Sequence, residues 1–158
     1  MRLSKIFNNI NKNQDKHFKN LKINSNYCKP NDVFFAILGK KHDGNNYINE
    51  AIKNGAKTIV SSRKFHGSKN NILYIKYNDP KKLLAKISGK IYKKKPNNLI
   101  AVTGTNGKSS VSDFYYQILK LNKIKSASIG TLGVKSEIVN NKISITTMDI
   151  LFNNKILD

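Results

Sequence analysis

Hydrophobic positions along the chain follow two rhythms. Short unbroken apolar runs predict strands buried on both faces: Val33-Phe34-Phe35-Ala36-Ile37-Leu38, Ile72-Leu73-Tyr74-Ile75 and Leu99-Ile100-Ala101-Val102. Leu21-Lys22-Ile23 alternates as a strand, and Ala56 to Ser61 and Ile124 to Gly130 read as further strands. Between these runs lie helical stripes. Tyr47, Ile48, Ala51 and Ile52 share one face of a helix expected from about Asn46 to Asn54, with Gly55 as its C-terminal stop. Leu83, Leu84, Ile87 and Ile91 share another, behind Asp79-Pro80, an N-cap followed by proline at the first helical position. Val111, Phe114, Tyr115, Ile118 and Leu119 recur at the spacing of a half-buried helix. Strands and helices that alternate in this way make an α/β chain.

Polar punctuation divides the elements. Lys29-Pro30-Asn31-Asp32 and His42-Asp43-Gly44 are turn signals, and Phe65 to Asn71 is a polar loop. Met1 to Asn20 is polar and basic with scattered Leu3, Ile6, Phe7 and Ile10, enough for one short amphipathic helix. Lys135 to Lys142 is a polar, hairpin-like excursion. The largest break is Lys93-Lys94-Lys95-Pro96-Asn97, which sets a boundary between a domain at 1–95 and a second at 96–158.

The chain has 158 residues, 39% of them hydrophobic, which permits a core. Its formal charge of +20 comes from 29 basic residues, and Arg2 and Arg63 are its only arginines. A polyanion partner is one reading of that charge. The lysines are spread evenly, with no arginine block and no interleaved aromatic platform, so we expect no specific nucleic-acid partner. The lone Cys28 excludes an internal disulfide and fits a reducing compartment. No apolar run approaches the ~20 residues of a membrane span, and the basic N-terminus lacks the apolar segment of a secretory signal. A cytoplasmic protein without membrane insertion is expected. Oligomeric state is not legible.

The stretch with the clearest chemistry is Thr103-Gly104-Thr105-Asn106-Gly107-Lys108-Ser109-Ser110, placed between an expected strand and an expected helix. Glycines let backbone amides approach an anion closely, and the helix N-terminus adds partial positive charge. Lys108 can reach outer phosphates, and the Ser109 hydroxyl can hold Mg2+. The strict phosphate-loop pattern asks for glycine where this chain has Val102. The alternative is a plain strand-turn-helix corner.

That loop resembles the ATP-binding loop of the Mur ligases, the amide-forming enzymes of peptidoglycan precursor synthesis. Among them it is most similar to the type that adds the third residue to UDP-N-acetylmuramoyl-dipeptide (MurE type). Ser126-Ala127-Ser128-Ile129-Gly130-Thr131-Leu132-Gly133 extends the likeness. So do Pro30-Asn31-Asp32-Val33-Phe34-Phe35-Ala36-Ile37-Leu38-Gly39 and Asp43-Gly44-Asn45-Asn46-Tyr47-Ile48-Asn49-Glu50-Ala51-Ile52-Lys53-Asn54-Gly55-Ala56, which match the family's N-terminal domain in order. Asn24-Ser25-Asn26 stands where the family has Asp-Ser-Arg, and Thr146-Thr147-Met148-Asp149 where it has Thr-Thr-Pro-Asp.

The resemblance implies a small N-terminal α/β domain that binds a uridine nucleotide, followed by the first βαβ part of a P-loop-type central domain. It implies ATP held by Gly104, Thr105, Asn106, Gly107, Lys108, Ser109 and Ser110, with Mg2+ on Ser109. It implies a UDP-N-acetylmuramoyl-peptide substrate held by Ile23, Ser25, Lys40, Lys41 and His42, with Thr146 and Thr147 on the muramoyl side. By residue chemistry alone the preferred reading is Ser25 as a turn serine, Lys40 and Lys41 as solvated lysines and His42 as a turn residue, while the threonine pair can be a helix cap and touch substrate at once. The family reaction passes through an acyl-phosphate. It needs a metal site, a carbamylated lysine and a C-terminal domain that cannot be matched here, so no complete catalytic set is expected. The expectation is an N-terminal piece of a MurE-type ligase. A MurF-type piece and a non-catalytic nucleotide-binding remnant are the alternatives.

Overall fold

The computed structural model describes the chain except residues 9, 40, 41, 138, 139, 142–150, 152–155, 157 and 158. It divides into two compact units, Met1–Lys93 and Lys94–Asp158, each considered by itself.

The first unit is built on five strands: β1 (Leu21–Lys22), β2 (Val33–Ala36), β3 (Thr58–Ser61), β4 (Gly67–Lys69) and β5 (Ile72–Lys76). Their order across the sheet is β1-β2-β3-β5-β4, with β1, β2, β3 and β5 mutually parallel. Every residue of β2 and β3 is buried, as a parallel sheet covered on both faces requires. Register places Ile59 between Phe34 and Tyr74, and Val60 between Phe35 and Ile75. Strand residues alternate between faces, so two cores result. Phe34, Ala36, Ile59 and Ile72 pack with Ile48 and Ala51 of α1 (Ile48–Lys53) and with Cys28 and Ala56. On the other face α2 (Pro80–Ile91) buries Leu83, Leu84 and Ile87. The N-terminal segment adds Leu3, Ile6 and Phe7, whose ring stacks on Phe35 with centroids 6.5 Å apart.

Several expectations are met closely. Asp79 caps α2 by accepting from the Lys82 amide at 2.9 Å, with Pro80 at the helix start. Others are corrected. Met1 to Asn20 forms two single 3-10 turns, Leu3–Lys5 and Lys12–Gln14, in place of an amphipathic helix. The polar loop after β3 contains β4, paired antiparallel to β5 across Asn70-Asn71. Both asparagines have positive φ, 50° and 62°, the conformation of a tight hairpin turn. β4 shows no apolar alternation because its short edge has nothing to bury.

The second unit contains α3 (Lys108–Leu121) and the antiparallel strands β6 (Ala127–Gly130), β7 (Gly133–Ser136) and β8 (Asn140–Asn141) in that order. The expected strand Leu99–Val102 carries no ladder, and Leu99 and Ile100 are 76% and 59% exposed. A strand exists by pairing, and no described strand lies beside this run. The α3 stripe is also corrected: Val111, Phe114, Tyr115 and Ile118 are exposed, and Tyr116 is the buried residue. No helix among the described residues is long and apolar enough to cross a membrane.

Asp32 is the buried polar anchor of the first unit. Its side chain accepts from the Asn20 amide (3.1 Å), the Asn20 Nδ2 (3.1 Å) and the Lys29 amide (3.0 Å) with no exposure of its own. Asp32→Ala leaves three donors unpaired and is expected to cost about 3 kcal/mol in urea unfolding, with Asp32→Asn closer to about 1.5 kcal/mol. Equal stability of Asp32→Ala and the parent would show the donors resatisfied by water.

Candidate functional site

In an open parallel sheet, ligands bind outside the carboxyl ends of the strands, where the connecting loops gather. Here β1, β2 and β3 end side by side. After β1 come half-buried Ile23 and the turn Ser25–Tyr27, started by the Asn24 side chain accepting from the Asn26 amide at 3.0 Å. Ser25 is buried. Its hydroxyl donates to Glu50 Oε2 at 2.6 Å, and its carbonyl accepts from Asn54 Nδ2 at 3.0 Å. The hydroxyl proton is thus committed to α1, and the oxygen remains an acceptor.

After β2 the chain makes a narrow excursion closed at its neck. Leu38 bridges Asp43, the Gly39 amide donates to the His42 carbonyl (2.9 Å), and the Gly44 amide donates to the Ile37 carbonyl (2.9 Å). A Cβ on Gly44 would lie 2.6 Å from the Ile37 nitrogen, so only glycine lets the two arms approach this closely. His42 stands exposed at that neck. Lys40 and Lys41 lie outside the described residues, as do Thr146 and Thr147.

A polar network that the sequence reading did not single out braces this neck against β3. Asp43 accepts from the Asn45 amide (2.9 Å) and Nδ2 (2.7 Å) and pairs with Arg63 Nη2 at 2.9 Å. Asn45 Oδ1 accepts from the fully buried Ser61 hydroxyl at 2.6 Å, and Ser61 Oγ accepts from the Arg63 amide at 3.0 Å. The Asn45 amide, then the Asn45 side chain, hold the Asp43 carboxyl below the usual carboxylate range, with Arg63 adding to the effect. Two signals were available in sequence: Asp-Gly-Asn as a side-chain-capped turn, and an arginine in a chain that otherwise uses lysine.

In the second unit, the glycine loop runs into α3 as expected. Gly104 and Gly107 have φ of 149° and 76°, and Gly107 is the helix N-cap. No side chain caps this end. The first amides of a helix have no acceptor within it, so those of Lys108, Ser109 and Ser110 are available to an anion. All residues from Thr103 to Ser110 are exposed. Lys108 Nζ donates to the carbonyls of Gly104 (2.5 Å) and Thr105 (3.0 Å), which folds its ammonium over the loop. Ser109 Oγ lies 2.8 Å from Thr131 Oγ1. Thr131 opens the turn between β6 and β7, and its hydroxyl joins the site through this contact, which no local sequence pattern signals. The loop therefore fits a polyphosphate: free amides, a cation at the rim and no Cβ at the cap. Among the described residues no cluster of three or more His, Cys, Asp or Glu side chains could hold a metal ion unaided. Mg2+ would rest on Ser109 and on the phosphates themselves.

Comparison with known proteins places these features in a family. The description "Mur ligase family, catalytic domain" matches residues 17–92. The chain is 42% identical over 137 residues to the UDP-N-acetylmuramoyl-L-alanyl-D-glutamate–2,6-diaminopimelate ligase of Rickettsia prowazekii, covering 84% of this chain and 28% of that protein. It is 35% identical over 167 residues to the second such ligase of Clostridium acetobutylicum, covering 99% of this chain and 35% of the relative. The chain thus spans about a third of the length of the curated relatives it matches. A solved diaminopimelate ligase superposes with a TM-score of 0.66 at 22% identity, over 90% of this chain and 29% of that one, which supports the fold. MurF ligase from Thermotoga maritima in complex with ADP superposes at 0.54 with 31% identity, over 68% of this chain and 24% of that one.

Two positions at these loops can be tested without any ligand. Gly107→Ala meets no atom within 4 Å but must keep φ at 76°, so the cost is purely conformational. We expect a loss of about 1 kcal/mol in unfolding followed by circular dichroism; a loss several times larger would reveal a steric role. Burial pushes the Cys28 thiol, at the end of the Ser25–Tyr27 turn, from 9.0 up to about 11. Two units cut the thiolate fraction about a hundredfold, so alkylation at pH 8 should be slow in the folded chain and fast in denaturant. A thiol raised in the folded state stabilises fully below pH 9.0, and that contribution is lost as pH rises toward about 11. Equal alkylation rates in both states would contradict the burial.

Proposed function

The chain belongs to the Mur ligase family, and from that premise we propose that it carries the substrate-holding and ATP-holding front of an ATP-dependent ligase that adds an amino acid to UDP-N-acetylmuramoyl-dipeptide. The observation that carries the proposal is the uncapped N-terminus of α3, opened by Gly107 and crossed by the Lys108 ammonium. Water satisfies these exposed amides in the free chain, and an anion that replaces it gains the partial positive charge of the helix end.

In this reading Gly104 to Ser110 hold the phosphates of ATP through backbone amides, Lys108 neutralises their outer charge, and Ser109 presents its hydroxyl to Mg2+. ATP, when bound, supplies the phosphoryl group that activates the substrate carboxylate. The carboxyl edge of the first unit holds the uridine diphosphate end, with Ile23 and Ser25 toward the base and Lys40, Lys41 and His42 toward the phosphates. Thr146 and Thr147, outside the described residues, are assigned to the muramoyl side of the substrate on the family resemblance. The domain limits that go with it are 1–95 for substrate binding and 96–158 for the start of the ATP-binding domain. The setting is cytoplasmic.

A MurF-type ligase is favoured by one observation, the 31% identity to the Thermotoga maritima protein. That match covers 68% of this chain, against 84% and 99% for the diaminopimelate ligases, and the proposal follows the longer matches.

Calorimetric titration tests the proposal. The chain should bind Mg2+-ATP and, separately, UDP-N-acetylmuramoyl-L-Ala-D-Glu. Lys108→Ala should weaken ATP binding at least tenfold, about 1.4 kcal/mol, and leave the UDP ligand unchanged. Absence of ATP binding by the parent chain would remove the ligase reading. An equal loss for both ligands would mean that Lys108 acts on folding instead.

A further inference from the structure

Arg63 stands just past the carboxyl end of β3, beside the loop that follows the neighbouring strand β2. It is one of two arginines among 29 basic residues, and the other, Arg2, is paired with Asp15 at 3.4 Å in the N-terminal segment. Arg63 is fixed at both ends. Its amide donates to the buried Ser61 hydroxyl, and its Nη2 sits 2.9 Å from Asp43. Its side chain is nonetheless 61% exposed, against 15% for Asp43.

A surface ion pair of this kind adds little stability, of an order that screening and side-chain entropy cancel. The neck it touches is already closed by the two backbone hydrogen bonds of the Leu38–Asp43 bridge and by the two hydrogen bonds from Asn45 to Asp43. The pair does achieve orientation. A guanidinium has five donors in a rigid fork, one of which meets Asp43 while the fork stays solvent-accessible at the edge where an open α/β sheet takes its ligand. Planar, two-pronged recognition of phosphate is what arginine does and lysine does not.

We propose that Arg63 is a further binding residue of this edge and takes the diphosphate of a nucleoside diphosphate ligand, with Asp43 as the acceptor that holds its guanidinium ready. The assignment rests on the substrate reading above, which named Lys40, Lys41 and His42 for that charge and left Arg63 out. Asp43 is the positioning residue and Arg63 the one that touches ligand.

The test is a titration of the full chain with UDP and with uridine, followed by 1H–15N NMR shifts, which read affinities into the millimolar range. Arg63→Met keeps the stem and removes the charge. It should weaken UDP about tenfold and leave uridine within twofold. Arg63→Lys should fall between, because a point charge replaces the fork. Asp43→Asn should give a smaller UDP loss than Arg63→Met. An equal loss for UDP and uridine in Arg63→Met, with a native spectrum, would make Arg63 a brace and overturn the proposal, and so would no loss for either. If Arg63→Met loses its native spectrum, Arg63→Lys carries the comparison, and full UDP affinity there overturns the fork. A parent chain that binds uridine and UDP equally, or neither, defeats the substrate reading itself, whatever the variants do.

Discussion

Backbone pairing between parallel strands governs the first unit. A parallel ladder has no tight turn available to it, so each strand must be followed by a crossover that returns to the same starting edge. The β2-to-β3 crossover here lays α1 on one face, and α2, which follows β5, covers the other, so every residue of β2 and β3 is buried. With both faces closed, the loops at the carboxyl edge are the place left for chemistry. His42, Asp43 and Arg63 meet there from segments some twenty residues apart, because β2 and β3 end level, with Ala36 opposite Ser61; β1 stops two positions earlier and delivers Ser25 to the same edge. Ser61 shows how firmly that edge is set: fully buried, it is nonetheless satisfied by Asn45 and by the Arg63 and Lys64 amides.

The second unit is organised differently. Helix α3 is held to the β6-β7 hairpin by polar pairs: Ser112 with Ser128 at 3.0 Å, Asp113 with Lys135, and Ser109 with Thr131. Lys135 and Gln117 draw the Asp113 carboxyl below its ordinary range. These contacts orient the helix by its N-terminal half, which is the half that presents free amides. Placement of the glycine loop therefore depends on hydroxyls and one ion pair more than on apolar burial.

Legibility in the sequence follows the same division. Where an element's pattern reports burial that the unit completes for itself, the residues announced it: the solid apolar runs of β2 and β5, the Asp-Pro start of α2, the glycine stop after α1. The glycine loop was legible for another reason, since Gly104 and Gly107 adopt backbone angles that few other residues accept. Features made by pairing or by polar geometry were not legible. β4 is a ladder edge of Gly, Ser and Lys, and no periodicity marks it. The Asp43–Asn45–Ser61–Arg63 network joins residues that are ordinary turn formers one at a time. The Ser25 hydroxyl donates to Glu50, a partner 25 positions away that no local pattern reveals.

The stripe on α3 shows what such a pattern does establish. Val111, Phe114, Tyr115 and Ile118 lie at helical spacing and the helix forms, yet those four side chains are 54%, 63%, 44% and 55% exposed while Tyr116 is buried. Periodicity states which face of a helix is fit for burial; it does not supply the surface that does the burying. The run Leu99–Val102 makes the same point for a strand, with composition suited to a fully covered ladder and no described neighbour to pair with. Both errors have one cause, because intrinsic pattern and realised packing separate wherever the partner surface is not among the described residues. The glycine loop between them is immune to that separation. Its conformation is set by φ at two glycines and by one lysine donating to its own loop, all within five residues, so its geometry does not depend on whether the flanking apolar faces are covered.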